Sequence, residues 1–185
     1  NYGADAVRLF ILSDSPPEKD VQWSETGIIS CYKFIQKLWS LNLKIVENIN
    51  KDYSNEEINE LEKFTNHFIK KVTKNLENFS YNIVIANIHE MYSFLTREIN
   101  KKQDAVKLTN NYQKILTVVM PIIPHFANEC IKNLKLSAKT WPQINENMLV
   151  EKSIKIVIQI NGKKRNIIEV DKDIDEEKLI KKIKD

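Results

Sequence analysis

Tyr2-Gly3-Ala4-Asp5-Ala6-Val7-Arg8-Leu9-Phe10-Ile11-Leu12 leads into Ser15-Pro16-Pro17-Glu18-Lys19-Asp20-Val21-Gln22-Trp23-Ser24, and a long helical pattern carrying Phe34, Leu38 and Trp39 follows. Asp5, Ala6 and Val7 open a first helix, on which Val7, Phe10 and Ile11 share a face at three- and four-residue spacing. Pro16-Pro17 cannot continue it, because neither residue has an N–H to donate and each restricts the residue before it. Ser24 stands where an N-cap belongs, with Glu25 in the first turn to favour the helix dipole. Helix, proline corner, tryptophan and bundle helix in this order read as a hinge between two bodies, of which the second is present. Residues 1–23 are therefore expected to link to a missing domain upstream.

Working outward, residues 24–149 read as an antiparallel helical bundle. Helix two aligns Ile28, Cys31, Ile35, Leu38, Ile45 and Ile49 along one drifting stripe. A third helix is expected from Ser54, with Glu57 completing a capping box and Ile58, Leu61, Phe64, Phe68, Val72 and Leu76 inward. The fourth, from about Asn82 to Lys101, is expected to bury Ile83, Ala86, Met91, Phe94, Leu95 and Ile99. The fifth starts near Asp104 and uses Val106, Tyr112, Ile115, Leu116 and Val119, until Met120-Pro121-Ile122-Ile123-Pro124-His125 interrupts it. Pro124 suits the first turn of a further helix with Phe126, Cys130, Ile131 and Leu134 inward. Connections are short, which favours antiparallel neighbours.

From Val150 the apolar period changes from helical to alternating. Ile154, Ile156, Ile158 and Ile160 interleave with Lys155, Val157, Gln159 and Asn161, the pattern of a half-buried strand. Asn161-Gly162 is a strong hairpin turn, Arg165 to Val170 is the return strand, and Asp173 and Glu176 are expected to cap a last helix holding Leu179, Ile180 and Ile183. The fold class is mainly α, a helical bundle followed by a small, incomplete α+β hairpin-helix piece over residues 150–185.

Composition narrows the function. The net charge is only +3 over 185 residues, so nucleic-acid contact has to come from local patches. Most of the 28 basic residues are lysine, which with abundant Asn and Ile points to an AT-rich genome and makes lysine richness weak evidence by itself. No apolar run approaches the roughly 20 residues of a membrane-spanning helix. Cys31 and Cys130 are read as two buried thiols. Three glycines cannot build a phosphate-cradling loop, and His67, His89 and His125 keep no metal-ligand or triad spacing with other side chains. His125 is assigned to the scaffold. No catalytic, cofactor-binding or metal residue is expected.

The opening string resembles the segment that follows the lysine-rich catalytic loop of class I aminoacyl-tRNA synthetases. Ser15-Pro16-Pro17-Glu18-Lys19-Asp20 with Trp23-Ser24 and Gly27 leans to the leucyl family of bacterial type, although Gln22 stands where that family usually has an acidic residue. Tyr81-Asn82 with Ile85-Ala86, the Pro121-x-x-Pro124-His125 turn, Trp141-Pro142 and the Val157-x-Gln159-x-Asn161-Gly162-Lys163-x-Arg165 hairpin are similar to the same family in the same order. The resemblance implies an anticodon-binding-type bundle and the start of a C-terminal domain. It further implies an enzyme that activates leucine with ATP and Mg2+ in catalytic and editing domains upstream, and then charges tRNA(Leu). It implies a monomer in the cytoplasm, or in an organelle of an AT-rich eukaryote, with no membrane partner. A sister synthetase for isoleucine, valine or methionine, or a non-enzymatic helical scaffold, are the rival readings.

The expected tRNA-binding residues are Lys163, Lys164 and Arg165, which sit at or beside a tight turn and can meet phosphates without being buried, and Lys33 and Lys37, one turn apart on helix two. Trp39 is assigned to packing rather than to stacking on a base.

Overall fold

The computed structural model describes residues 2–14, 20–50, 59–101, 104–137, 140–149, 153–172 and 174–184. Two compact units divide the chain, Asn1–Asn145 and Glu146–Asp185. The first 23 residues thus belong with the bundle, and the boundary falls four residues before the expected one, at a 3-10 turn over Glu146–Leu149.

Among its described residues the first unit holds six helices: α1 (Ala4–Asp14), α2 (Glu25–Ile49), α3 (Asn59–Glu77), α4 (Tyr81–Glu98), α5 (Ala105–Val119) and α6 (Pro124–Asn133). Ser24 caps α2 as expected, its hydroxyl accepting from the Gly27 N–H at 3.1 Å. Asp104 caps α5 in the same way, accepting from the Lys107 N–H at 2.7 Å. The Ser15–Lys19 corner and the Ser54–Glu57 capping box lie outside the described residues. Helix α5 is the axis of the bundle. Ile115, Leu116, Val118 and Val119 are buried all round it, together with the polar Asn111, Gln113 and Thr117. Polar groups buried on a helix need partners; Gln113 Nε2 donates to the Ser137 carbonyl at 2.9 Å and Thr117 Oγ1 to the Gln113 carbonyl at 2.9 Å.

Three expected faces are turned. On α1 the buried set is Asp5, Ala6, Leu9 and Phe10, while Ile11 is exposed. The helix is gripped by α2, α4 and α6, which rotates its contact face toward Ala6 and Leu9. On α4, Val84, Ile85 and Ile88 go inward with Met91, Leu95 and Ile99, whereas Ile83 and Ala86 face out. Three consecutive apolar residues at Ile83–Ile85 let the period start in more than one phase, and packing on α3 selects the later one. Val106 of α5 is exposed and Leu108 takes the first inward position.

The conspicuous sequence strings meet in space. Helix α6 begins at Ile123-Pro124, and Ile123 has no side-chain acceptor with which to cap it. Asp5, from the other end of the unit, supplies one. Its Oδ2 accepts from the Phe126 N–H at 2.6 Å and its Oδ1 from the His125 N–H at 3.3 Å, with His125 Nδ1 at 3.0 Å. Arg8, one turn on, donates through Nε to the Ile122 carbonyl at 2.9 Å and through Nη2 to the Pro121 carbonyl. An anion at a helix N-terminus and a cation on the carbonyls beside it are each favourable. Together they bolt α1 to the α5–α6 turn.

Gly27 completes the α1–α2 contact, because a Cβ there would lie 2.6 Å from the Phe10 ring. That ring also meets Trp23 edge-on at 5.3 Å.

In the second unit β1 (Ser153–Ile160) and β2 (Lys163–Asp171) pair antiparallel, and α7 (Glu176–Lys184) follows. Asn161 (φ 53°) and Gly162 (φ 74°) make the two-residue turn, both in the left-handed conformation that a type I′ hairpin requires. The cap of α7 is Asp175, whose carboxylate accepts from the Lys178 N–H at 2.8 Å. The expected cap Asp173 lies outside the described residues, and Ile180, expected inward, is exposed.

Candidate nucleic-acid interface

Helix α2 buries Phe34, Leu38, Leu41 and Ile45 against the bundle, which turns Lys33 and Lys37 outward. Lys44, seven residues beyond Lys37, returns to the same side after two turns. The three line an open groove of about 360 Å³ between α2 and α4, whose far wall includes Tyr92, Thr96 and Asn100. Among the described residues no acidic side chain lines it. Like charges one turn apart cost a few tenths of a kcal/mol on a helix, so this cluster is held at some expense to folding. Hydroxyl, amide and ammonium groups along one trough are the set that binds phosphate and ribose.

Between α2 and α4 the packing is aromatic. His89 stacks on Phe34 with ring centres 3.8 Å apart and planes at 22°, and Tyr92 meets Phe34 edge-on at 5.7 Å. Partial burial, and then the charge of Lys37, hold the His89 imidazole below its ordinary pKa. The shift favours the neutral imidazole beside Lys37.

The second cluster lies in the other unit. Lys163 and Lys164 open β2 opposite Ile160 and Gln159, and Asn166 opposes Ile158, so Arg165 is an extra residue with no opposite number. Such a β-bulge bends the strand and re-aims the side chains around it. All three side chains are exposed.

The expected site residues therefore fall into two groups, Lys33 with Lys37 and Lys163 with Lys164 and Arg165. Sequence reasoning missed Lys44, Tyr92 and Asn100. Lys44 was within reach by helical spacing from Lys37, but nothing in the sequence says which stretch of α4 forms the opposite wall. Among the described residues no group of three or more His, Cys, Asp or Glu side chains could hold a metal ion, and no helix is long and apolar enough to cross a membrane. Both cysteines are free. Burial raises the Cys31 thiol and pushes Cys130 up to about 12, so neither is a thiolate at neutral pH.

Residues 58–180 match the family described as the anticodon-binding domain of tRNA ligase. The chain is 34% identical over 188 residues to the leucine–tRNA ligase of Wolbachia pipientis subsp. Culex pipiens (strain wPip), covering 97% of this chain and 23% of that protein. It is 34% identical over 183 residues to the leucine–tRNA ligase of Rickettsia massiliae (strain Mtu5), covering 96% of this chain and 22% of that one. The Fusobacterium nucleatum leucine–tRNA ligase is likewise 34% identical, over 197 residues, with 98% of this chain and 23% of that protein covered. The chain thus spans under a quarter of the length of these relatives. The fold is that of the LeuRS in the ternary complex of Agrobacterium radiobacter K84 agnB2 LeuRS, tRNA and LeuAMS, with a TM-score of 0.78 at 24% identity, over 98% of this chain and 25% of that one. The resemblance drawn from the motifs is borne out, and the chain belongs to the anticodon-binding domain family of tRNA ligases.

Proposed function

We propose that this chain is the tRNA-gripping portion of a leucine–tRNA ligase, which joins L-leucine to tRNA(Leu) with conversion of ATP to AMP and diphosphate. Activation with ATP and Mg2+, transfer and editing belong to domains upstream. This portion holds the body of the tRNA so that the acceptor end reaches the catalytic centre, a gain from positioning rather than from chemistry. The parent enzyme works as a cytoplasmic monomer. The observation that carries the reading is the α2–α4 groove, three lysines on one helix face with no acidic side chain among its described lining, in a chain of this family. Lys163, Lys164 and Arg165 form a second, exposed phosphate contact.

The test is made in the full-length enzyme. Replacing Lys33, Lys37 and Lys44 by glutamine raises KM for tRNA about tenfold or more and leaves leucine-dependent ATP–diphosphate exchange unchanged, since that step needs no tRNA. Equal loss of both activities would count against the reading.

A further inference from the structure

The α2–α4 groove carries more than positive charge. Ser40 stands between Lys37 and Lys44 on one face of α2, three residues after the first and four before the second. On the far wall Tyr92 and Thr96 lie a full turn apart along α4, and Asn100 continues their line just past its end. Ser40, Thr96 and Asn100 are all exposed.

The hydrogen bonds these three side chains already make fix what they can still offer. Ser40 Oγ donates to the Gln36 carbonyl at 3.0 Å, and Thr96 Oγ1 donates to the Tyr92 carbonyl at 2.7 Å. A hydroxyl has a single proton, so each oxygen is left with lone pairs alone. Asn100 Nδ2 donates to the Thr96 carbonyl at 3.2 Å, which assigns the amide and leaves Oδ1 to accept. The groove thus sets acceptors among ammonium groups, which only donate.

Phosphate oxygens carry no proton and gain nothing from such acceptors, so the lysines are their partners. What the acceptors select is a proton donor held close to a phosphate. In RNA that donor is the 2′-hydroxyl, on the same sugar that carries the phosphate, and DNA lacks it. Base-edge amines lie farther from the backbone, beyond the sugar.

We propose that the α2–α4 groove is a ribose-reading site. Lys33, Lys37 and Lys44 hold phosphates, and 2′-hydroxyls donate to Ser40 Oγ, Thr96 Oγ1 and Asn100 Oδ1. Affinity comes from the lysines, and the choice of RNA over DNA from the acceptors. This rests on the tRNA-gripping reading and names the chemical group that the grip recognises.

The test uses the 185-residue chain and two stem-loops of one sequence, one of RNA and one with 2′-fluoro in place of every 2′-hydroxyl. The second keeps the charge and the RNA-like sugar pucker but has no 2′ proton to donate. The wild type binds the ribose form more tightly. Ser40→Ala and Thr96→Val each shrink that preference roughly 2- to 12-fold, the range for one hydrogen bond. They do so by weakening the ribose form alone, so unchanged binding of the fluoro form shows in the same experiment that the groove is still folded. Thr96→Ser, which keeps the hydroxyl, keeps the preference. Glutamine at Lys33, Lys37 and Lys44 weakens both stem-loops and leaves their ratio in place. Equal binding of the two forms by the wild type, or a preference indifferent to both Ser40→Ala and Thr96→Val, overturns the ribose reading while the lysine grip stands. If the wild type binds neither stem-loop, the gripping reading fails and takes this proposal with it.

Discussion

The two cationic clusters of this chain are built on opposite physical terms. Lys33, Lys37 and Lys44 stand on a 25-residue helix whose inner face is buried, and α4 supplies an opposing wall. Lys163, Lys164 and Arg165 stand on a hairpin that, among the described residues, has two strands and a break in its register. A two-stranded hairpin alone is marginal in water. The helix cluster is preorganised, so little ordering entropy is lost when a ligand arrives. The hairpin cluster gains reach and exposure instead. Charge count is the same in both, and only the scaffold beneath distinguishes them.

This contrast is challenged most forcefully at Phe34. It is buried, stacks on His89 and contacts Tyr92, so it ties α2 to the helix that supplies the groove's far wall. Phe34→Ala is expected to cost about 3–5 kcal/mol, the range for emptying a core aromatic site. Chemical denaturation measures this loss, and hydrogen exchange of the β1–β2 amides should be unaffected because they lie in the other unit. Salt dependence probes the contrast at the next level. For single strands, every phosphate that the protein ceases to neutralise reduces the slope of log K against log salt by about 0.7. Neutralising the three groove lysines should therefore lower the slope of RNA binding by about 2. Neutralising Lys163, Lys164 and Arg165 should lower it by less, because charges on an exposed hairpin tip engage only part of the time. Equal slopes would erase the distinction.

Smaller still is the effect of Gly162→Ala. With φ at 74°, the left-handed conformation costs an alanine about 1–2 kcal/mol. The loss should fall on the protection of the hairpin amides and leave the thermal midpoint of the helical unit in place. The smallest expected effect is that of pH on His89. Its folded pKa lies below the unfolded value of about 6.5, so the unfolded chain binds the proton more readily. Stability is full above pH 6.5 and declines as pH falls through the unfolded value toward the folded one. Denaturation midpoints at pH 7.5 and 5.5 should differ less in His89→Gln than in the wild type. Phosphate bound beside Lys37 would raise the His89 pKa, so RNA affinity should increase modestly over the same descent.

Much of this was legible from the residues. The Ser24 cap, the start of α5 near Asp104, the Asn161-Gly162 turn and the restart at Pro124 each depend on chemistry within a few residues, and each stands where local rules put it. What misled was phase. Ile11 and Ile83 are apolar residues next to other apolar residues, and a periodic stripe can be drawn through either neighbour, while Val106 lies two residues before Leu108, which is buried in its place. Of the candidate site, Lys33 and Lys37 were readable as a pair on one helix, whereas Tyr92 and Asn100 became visible only when α4 was laid beside α2.

Helix lengths, turn type and the identity of the exposed charges thus follow from nearest-neighbour sterics and hydrogen bonding, which any short stretch of this chain carries within itself. The cap on α6 does not, because its acceptor is Asp5, some 120 residues away in the chain. Nor does the groove, since a concave surface requires two walls and the second wall belongs to another helix. Contacts of that kind are selected by how the whole bundle packs, where burying one face of α1 or α4 excludes the alternatives that their own periodicity left open.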